Sequence, residues 1–510
     1  MNKKNIFRGL TVALFALVTS SCEKDFLDIN TSPNSPSTST PELVLPSATN
    51  FLGSNVNGRF NVLGNLLTGN WGQAPDYLFY IPQETYNITP STYDAGWTDI
   101  YANSLKNLQY VIDNANGKKN LVAIAKIVQA YDYQVLVDLW GDVPFTDALK
   151  NTQVINPKYD SAASVYDNIV KLIDDGIANI DVSTTAAKPG DADIVFKNSN
   201  LTTEMNNWRK FANTLKLRVM IRQSRVASRQ AQVSAIAASL ANATFLGAGE
   251  NAGSNPGYAN QSGQFSPIYT SIGFSLTGAA TSNYTATRAN NFALTYLQNT
   301  NDTRYTLLYR PVPGTTNTYK GVVAGSTATT GNRSTDLSPV GAAIVKSSAD
   351  GGYATPAYLI TASESFFLQA EAQVRGLLPG GAAAAATNYT NGILESYKLL
   401  GSTTTAATTY IAANPTNRLV NFALATTTEQ QVEAIVTQKW IALNGINGLE
   451  AWTEFRRTGY PKANPLTKNQ QSGGKFPVRL PYPQNEVNAN GSNIPQIANI
   501  YDTRIFWDVD

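Results

Sequence analysis

Residues 121–148 read LVAIAKIVQAYDYQVLVDLWGDVPFTDA. The apolar run over residues 121–140 predicts a helix. Gly141 allows the backbone to turn where this helix ends, and Pro144 prevents the helix from continuing. The run also contains three charged side chains, so it is not the uninterrupted apolar segment that a membrane-spanning helix needs.

Helical patterns recur on both sides of this stretch. The clearest covers residues 161–180, where Val165, Ile169 and Ile173 belong to one apolar stripe at helical spacing. The other predicted helices cover residues 98–114, 205–225, 362–375 and 430–443. Because the helices follow one another roughly in pairs, the sequence predicts a mainly α fold.

The starts of the last two helices carry a capping box. In this motif a Thr side chain accepts a hydrogen bond from the backbone three residues later, where a Glu side chain reaches back. The pattern occurs at Thr361 with Glu364, and again at Thr426 with Glu429. We therefore predict that Thr361 and Thr426 mark the N-terminal ends of these helices.

Two long regions lack helical periodicity. Residues 245–355 are rich in Gly, Thr, Ser and Asn, with Tyr and Phe scattered among them. This composition predicts loops with short strands and helices. Residues 476–510 contain several prolines and end in aromatic side chains, which predicts extended chain closing over the core. The helical scaffold is therefore expected to carry long irregular insertions.

The N-terminus has the layout of an export signal. Residues 1–21 combine a positive start, a short apolar stretch and a final group of small residues. Cys22, the only cysteine, follows directly, as in a lipobox, although Thr19 replaces the commoner aliphatic residue. We predict a signal peptide over 1–21, lipidation at Cys22, a tether over 22–46 rich in Asn, Ser, Thr and Pro, and a folded domain over 47–510.

Composition excludes several classes of function. A net charge of +2, without Lys or Arg clusters, gives no support to nucleic-acid binding. The absence of histidine removes the usual general base and His-containing zinc sites, and no nucleotide-binding loop occurs, so we predict no metal and no cofactor. Glu450 and Glu454 would share a helix face and form the one candidate catalytic carboxylate pair. Arg456 and Arg457, which follow directly, favour a structural ion-pair network instead.

Aromatic side chains are abundant, with 7 Trp, 25 Tyr and 19 Phe. Aromatic rings can stack on sugars, and neighbouring amides can bind hydroxyl groups without any charge. Two aromatic-rich regions, residues 71–97 and 258–284, lie outside the apolar helical stripes and also contain Gln and Asn. The predicted ligand-contacting residues are Trp71, Tyr77, Tyr80, Trp97, Tyr258, Tyr269 and Tyr284. Trp208, on a helical stripe, is predicted to be a core residue.

Six segments, in order along the chain, resemble the SusD/RagB family, and in particular its SusD-like group described as starch-binding and outer-membrane-associating. They are CEKDFLDIN (22–30), VDLWGDVPFTDA (137–148), WRKFAN (208–213), SESFFLQAEA (363–372), QKWIAL (438–443) with EAWTEFRRTGYP (450–461), and PVRLPYP (477–483). These motifs have the character of scaffold, so the resemblance transfers no ligand-binding residue to this chain.

The resemblance implies a fold and a role. The fold would be one α-helical scaffold of tetratricopeptide-like helix pairs, with irregular insertions that carry the ligand site. The role would be that of a non-enzymatic lipoprotein, anchored in the outer membrane and exposed at the cell surface. Such a protein binds a glycan and delivers it to a SusC-like TonB-dependent transporter.

Two alternatives stay open from the sequence. One is a surface glycoside hydrolase that uses the carboxylate pair. The other is an anchored solute-binding protein for another nutrient, such as a peptide, but that fold needs strands alternating with helices. The identity of the ligand is also open, because starch, another glycan, a glycoprotein sugar or a peptide would fit these observations.

Overall fold

The structure is a computed structural model that describes residues 39–150, 153–462, 467–468 and 472–509. The predicted signal peptide, Cys22 and most of the predicted tether lie outside the described residues. The compact unit begins at Pro41 rather than at residue 47, because the first helix starts there and already buries Leu45.

The helices and strands are numbered here in chain order. The α-helices are α1 Pro41–Ser54, α2 Phe60–Leu67, α3 Ile81–Glu84, α4 Asp94–Thr98, α5 Lys106–Asn114, α6 Lys119–Trp140, α7 Ala162–Ala178, α8 Leu201–Gln223, α9 Gln230–Leu240, α10 Pro267–Ile272, α11 Ser282–Ala286, α12 Asn291–Asn299, α13 Tyr305–Leu308, α14 Ala362–Val374, α15 Gly381–Leu399, α16 Thr404–Ala412, α17 Thr428–Leu443, α18 Gly448–Thr458 and α19 Gln484–Asn490. The π-helical segments are Asn55–Arg59 and Asp99–Leu105. The 3₁₀ turns are Pro90–Thr92, Gly190–Ala192, Ala227–Arg229, Ser334–Asp336, Gly352–Ala354 and Phe422–Leu424. The strands are β1 Trp71–Gln73, β2 Ala252–Ser254, β3 Thr287–Ala289 and β4 Ala357–Ile360.

Helix α6 is the predicted helix of the opening stretch, and almost all of its side chains are buried. It ends at Gly141, whose φ of 79° is in the left-handed region that glycine adopts without strain. The N–H of Gly141 donates to the carbonyl of Val137 at 2.9 Å and closes the last turn. Helices α5 and α7 pack against α6.

The same arrangement repeats along the chain. The main helix contacts are α6 with α7, α8 with α9, α14 with α15, α14 with α17, and α2 with α18. The prediction of a mainly α scaffold of helix pairs with long irregular insertions is confirmed. Among the residues that the structure describes, no helix combines the length and the apolar character needed to cross a membrane.

The strands are short and pack against the first helices of the chain. Strand β1 pairs antiparallel with β3, and β2 pairs antiparallel with β4, so each sheet in the described part of the chain has two strands. Strands do not alternate with helices around a central sheet. The fold that an anchored solute-binding protein of the alternative type requires is therefore absent from the described residues.

Local details correct two expectations. Thr361 caps α14 as predicted and accepts from the N–H of Glu364 at 3.2 Å. Helix α17, however, is capped by Thr427, which forms its box with Gln430. Thr426 lies one residue too early, since consecutive threonines leave the position of the cap undetermined in the sequence. The C-terminal region is mostly irregular but also forms the short helix α19.

Candidate functional site

The structure contains a cleft of about 680 Å³. It lies between the end of α1, the π-helical segment that follows it, and the chain leading into α10. Its lining residues are Asn50, Ser54, Asn55, Arg59, Asp99, Pro256, Gly257, Tyr258, Gly263, Gln264, Phe265, Pro267, Thr270 and Ser271. A volume of this size is typical of a ligand-binding cleft.

Two π-helical segments meet in this cleft. The segment Asn55–Arg59 connects α1 with α2, and the segment Asp99–Leu105 connects α4 with α5. Nη1 of Arg59 lies 3.0 Å from Oδ2 of Asp99 and donates to Oδ1 of Asn55 at 2.7 Å. Wide π-helical turns occur often at functional sites, because they displace a side chain from its regular helical position.

The opposite wall is the loop around Tyr258. The Tyr258 hydroxyl donates to Oδ1 of Asn50 at 2.7 Å, and this bond ties the loop to α1. Burial raises the pKa of Tyr258 above its ordinary value. Further along, the ring of Phe265 meets the edge of Tyr269 at a centroid distance of 5.0 Å.

A second aromatic surface lies on residues 77–81, which we call the 77–81 loop. Leu78 is 78% exposed and Phe79 is 49% exposed, which is unusual for large apolar side chains. Tyr77 lies beside Phe79, with ring centroids 5.6 Å apart. Tyr80 is held by its hydroxyl, which lies 3.2 Å from Oγ1 of Thr287.

Four of the predicted ligand-contacting rings are core residues, and those predictions are corrected here. Trp71, Trp97, Tyr269 and Tyr284 are 0%, 5%, 1% and 7% exposed. A ring needs an open face to stack on a sugar. Trp71, Tyr269 and Tyr284 offer none, and Trp97 is almost fully buried at the lining of a separate cavity of about 300 Å³. Trp97 packs edge-on against Trp140 at 5.2 Å, for example, and the Tyr284 hydroxyl donates to the carbonyl of Val340.

The remaining predicted rings fall into two separate places. Tyr258 lines the cleft, whereas Tyr77 and Tyr80 belong to the 77–81 loop. Contact of these three rings with a ligand stays a prediction. They stay candidates because each is only partly buried.

The sequence analysis missed the polar side of the cleft, namely Asn50, Asn55, Arg59 and Asp99. These residues lie on helical chain, where polar side chains are ordinarily assigned to a solvated face. One available sign was that Arg59 is the only Lys or Arg between Lys24 and Lys106. An isolated cation in so long a stretch without other Lys or Arg favours a specific role for Arg59.

Glu450 and Glu454 form the predicted structural ion-pair network and are 4% and 2% exposed. Lys439 lies 2.8 Å from Glu450, and Arg457 lies 2.5 Å from Glu454. Burial alone would raise the pKa of both carboxyls, but the surrounding cations, Arg222 among them, lower it. Two ionised, fully paired carboxylates enclosed in the core do not provide the acid and base of a glycoside hydrolase.

No group of three or more metal-binding side chains occurs within the described residues. The cleft itself presents aromatic, amide and paired ionic groups. These groups are suited to holding a polar ligand by stacking and hydrogen bonds.

The chain was compared with known families and structures. The sequence profile of a SusD-like family, described as starch-binding and associating with the outer membrane, matches residues 33–483. A SusD homologue from Bacteroides uniformis is 25% identical, with a TM-score of 0.73 over 92% of this chain and 99% of the other. A chitin-binding SusD homologue from Flavobacterium johnsoniae is 23% identical, with a TM-score of 0.71 over 92% of this chain and 96% of the other. A search of curated proteins finds no match. Because the family profile covers most of its length, the chain belongs to the SusD-like family.

Proposed function

We propose that this protein is a cell-surface lipoprotein of the outer membrane that binds an oligosaccharide and delivers it to a SusC-like TonB-dependent transporter. The observation that carries the glycan-binding part is the cleft between Arg59 and Tyr258. The printed description of the Flavobacterium johnsoniae structure as chitin-binding supports a glycan as the ligand class. The transporter and the lipid anchor are supported by family membership and by the sequence around Cys22.

The chemistry of the cleft suits an uncharged, hydroxyl-rich ligand. Tyr258 and Phe265 supply aromatic surface, and Asn50 and Gln264 supply amide groups. The one cation and the one anion that line the cleft are paired with each other. A neutral glycan therefore meets donors, acceptors and ring faces without needing to neutralise a charge.

The first prediction tests the location of the site. Tyr258→Ala is expected to weaken glycan binding about tenfold, because loss of a stacking ring costs ~1–1.5 kcal/mol. Its melting temperature should stay close to that of the wild type, since the ring is only partly buried. A glycan array would identify a ligand, and calorimetry would then give its dissociation constant for each variant.

Two further variants make this test specific. Tyr77→Ala reports on the 77–81 loop, and Trp208→Ala is a core control in which melting temperature should fall sharply. If Tyr77→Ala weakens binding while Tyr258→Ala does not, the ligand site is the 77–81 loop and not the cleft. If no glycan on the array binds the wild-type protein, the proposed ligand class is wrong.

The second prediction concerns the anchor. Cys22→Ala is expected to release the protein from the membrane fraction, because two or more acyl chains on this cysteine would hold it stably. The measurement is fractionation in cells that lack the transporter, so that a protein partner cannot retain the variant. A Ser21→Ala variant serves as the control and should remain membrane-bound. Retention of Cys22→Ala in the outer membrane would refute lipidation as the anchor.

The third prediction concerns the partner. A protein that closes over a transporter pore needs a broad contact, above the roughly 1,600 Å² of a standard interface. Affinity purification in mild detergent at low salt is therefore expected to recover a β-barrel protein of much higher mass. The Cys22→Ala variant should recover the same barrel if contact does not depend on the lipid. Recovery of the lipoprotein alone would count against the delivery role.

A further inference from the structure

Several hydrogen-bond donors in the cleft have no acceptor among the described residues. Nη1 of Arg59 is occupied by Asn55 and Asp99, but Nε and Nη2 have no acceptor among the described residues. Asn50 uses its oxygen to accept from Tyr258, which leaves its Nδ2 donors unused within the described chain. Both oxygens of Asp99 are occupied, because Oδ1 accepts from Asn103 at 3.0 Å. The free edge of Arg59, formed by Nε and Nη2, is therefore a charged donor group of the cleft that can bind a ligand acceptor.

The charge of the cleft limits which acceptor fits this edge. Among the residues that the structure describes, Arg59 and Asp99 are the only charged ones that line the cleft, and each is about one-third exposed. A ligand carboxylate on the free edge of Arg59 would bring a second negative charge close to Asp99. A neutral carbonyl oxygen would accept the same hydrogen bonds without that repulsion.

The cleft also has apolar surface next to these donors. Pro256, Tyr258, Phe265 and Pro267 line it together with Arg59. A ligand group with a carbonyl oxygen at one end and a methyl at the other would satisfy both. Among substituents of sugars, the acetamido group has this combination.

We propose that the cleft selects glycans built from N-acetylated amino sugars. The acetamido carbonyl oxygen accepts hydrogen bonds from Nε and Nη2 of Arg59, and the methyl packs on the wall that contains Tyr258 and Phe265. Asp99 and Asn55 act as positioning residues, because they fix Nη1 and so orient the free edge. This inference rests on the proposed glycan-binding function and specifies its substrate class.

The test compares matched oligosaccharides by calorimetry on the full mature protein in detergent. Chitotetraose carries acetamido groups where cellotetraose carries hydroxyls, and tetragalacturonate carries carboxylates. We expect chitotetraose to bind at least about tenfold more tightly than cellotetraose, since hydrogen bonds to a charged donor are lost in the latter. Arg59→Met should weaken chitotetraose binding about tenfold and leave cellotetraose unchanged. Arg59→Lys, which keeps the charge but lacks the planar fork, should also lose this preference.

Each other outcome has a definite meaning. Equal binding of chitotetraose and cellotetraose, or an equal loss for both in Arg59→Met, overturns the acetamido assignment. Tighter, salt-sensitive binding of tetragalacturonate shows that Arg59 receives an anion instead. If none of the three binds while other glycans on the array do, this inference fails and the proposed function stands. The binding data of an Arg59 variant count only if the variant melts at the same temperature as the wild type. If Arg59→Met does not fold, the comparison of chitotetraose with cellotetraose is made with Arg59→Lys.

Discussion

Replacing Arg222 by methionine is expected to lower the free energy of unfolding by about 3–5 kcal/mol, because buried carboxylates then lose their shared cation. Arg222 lies on α8 and is 0% exposed. Its Nη2 lies 2.5 Å from Oε2 of Glu450, and its Nη1 lies 2.6 Å from Oε1 of Glu454. Its Nε lies 3.4 Å from Oδ2 of Asp138, and the guanidinium group stacks over Trp507 at 5.5 Å.

The electrostatics of the network explain why one cation matters so much. Burial would raise the pKa of Glu454, yet Arg457, Lys439 and Arg222 hold that pKa well below the usual carboxyl range. Glu454 is therefore ionised at neutral pH and cannot escape the loss of Arg222 by taking up a proton. The network joins α8, α17 and α18, so its damage is expected to affect unfolding of the whole scaffold.

Urea denaturation at neutral pH would measure this change. Lys475→Met is the matched control, because Lys475 forms a surface pair with Asp502 at 2.6 Å in which both side chains are about half exposed. The control should unfold at the same urea concentration as the wild type, since exposed pairs contribute little. If Arg222→Met also leaves the midpoint unchanged, the buried network does not stabilise the fold as we infer.

Gly64→Ala is expected to destabilise the protein by about 3 kcal/mol or more, because no side chain has room at this position. A Cβ on Gly64 would lie 1.8 Å from the carbonyl oxygen of Gly448 and 2.6 Å from the nitrogen of Leu449. These are backbone atoms, so they cannot move aside as a side chain would. Two hydrogen bonds fix the approach of α2 to α18: Gly448 N–H donates to Asn61 at 2.7 Å, and Gly445 N–H donates to Asn65 at 3.0 Å.

Thermal unfolding of two alanine variants would test this contact. Gly247→Ala is the control, because the nearest atom to its new Cβ would be Oε2 of Glu250 at 3.5 Å, an ordinary contact. We expect Gly247→Ala to melt close to the wild type and Gly64→Ala to melt much earlier or to fail to fold. Equal melting temperatures for the two variants would show that α2 and α18 separate easily.

The helical scaffold was predictable because its determinants are local. The apolar stripe over 161–180 and the Gly141 stop depend on residues within one or two turns. The same holds for the Thr361 cap, although the neighbouring run of threonines hid the cap at Thr427. The structural role of Glu450 and Glu454 was also predictable, since two arginines follow them directly.

The sequence by itself therefore determined the mainly α fold, the helix ends at Gly141 and Thr361, and the family motifs. Only the tertiary structure decided which aromatic rings are exposed to solvent. Trp71 is buried because β1 pairs with β3, where Trp71 lies opposite Ala289, and this pairing joins segments more than two hundred residues apart. The cleft likewise combines Arg59, Asp99 and Tyr258 from three distant segments. Burial in irregular chain depends on such long-range packing, and no local periodicity encodes it.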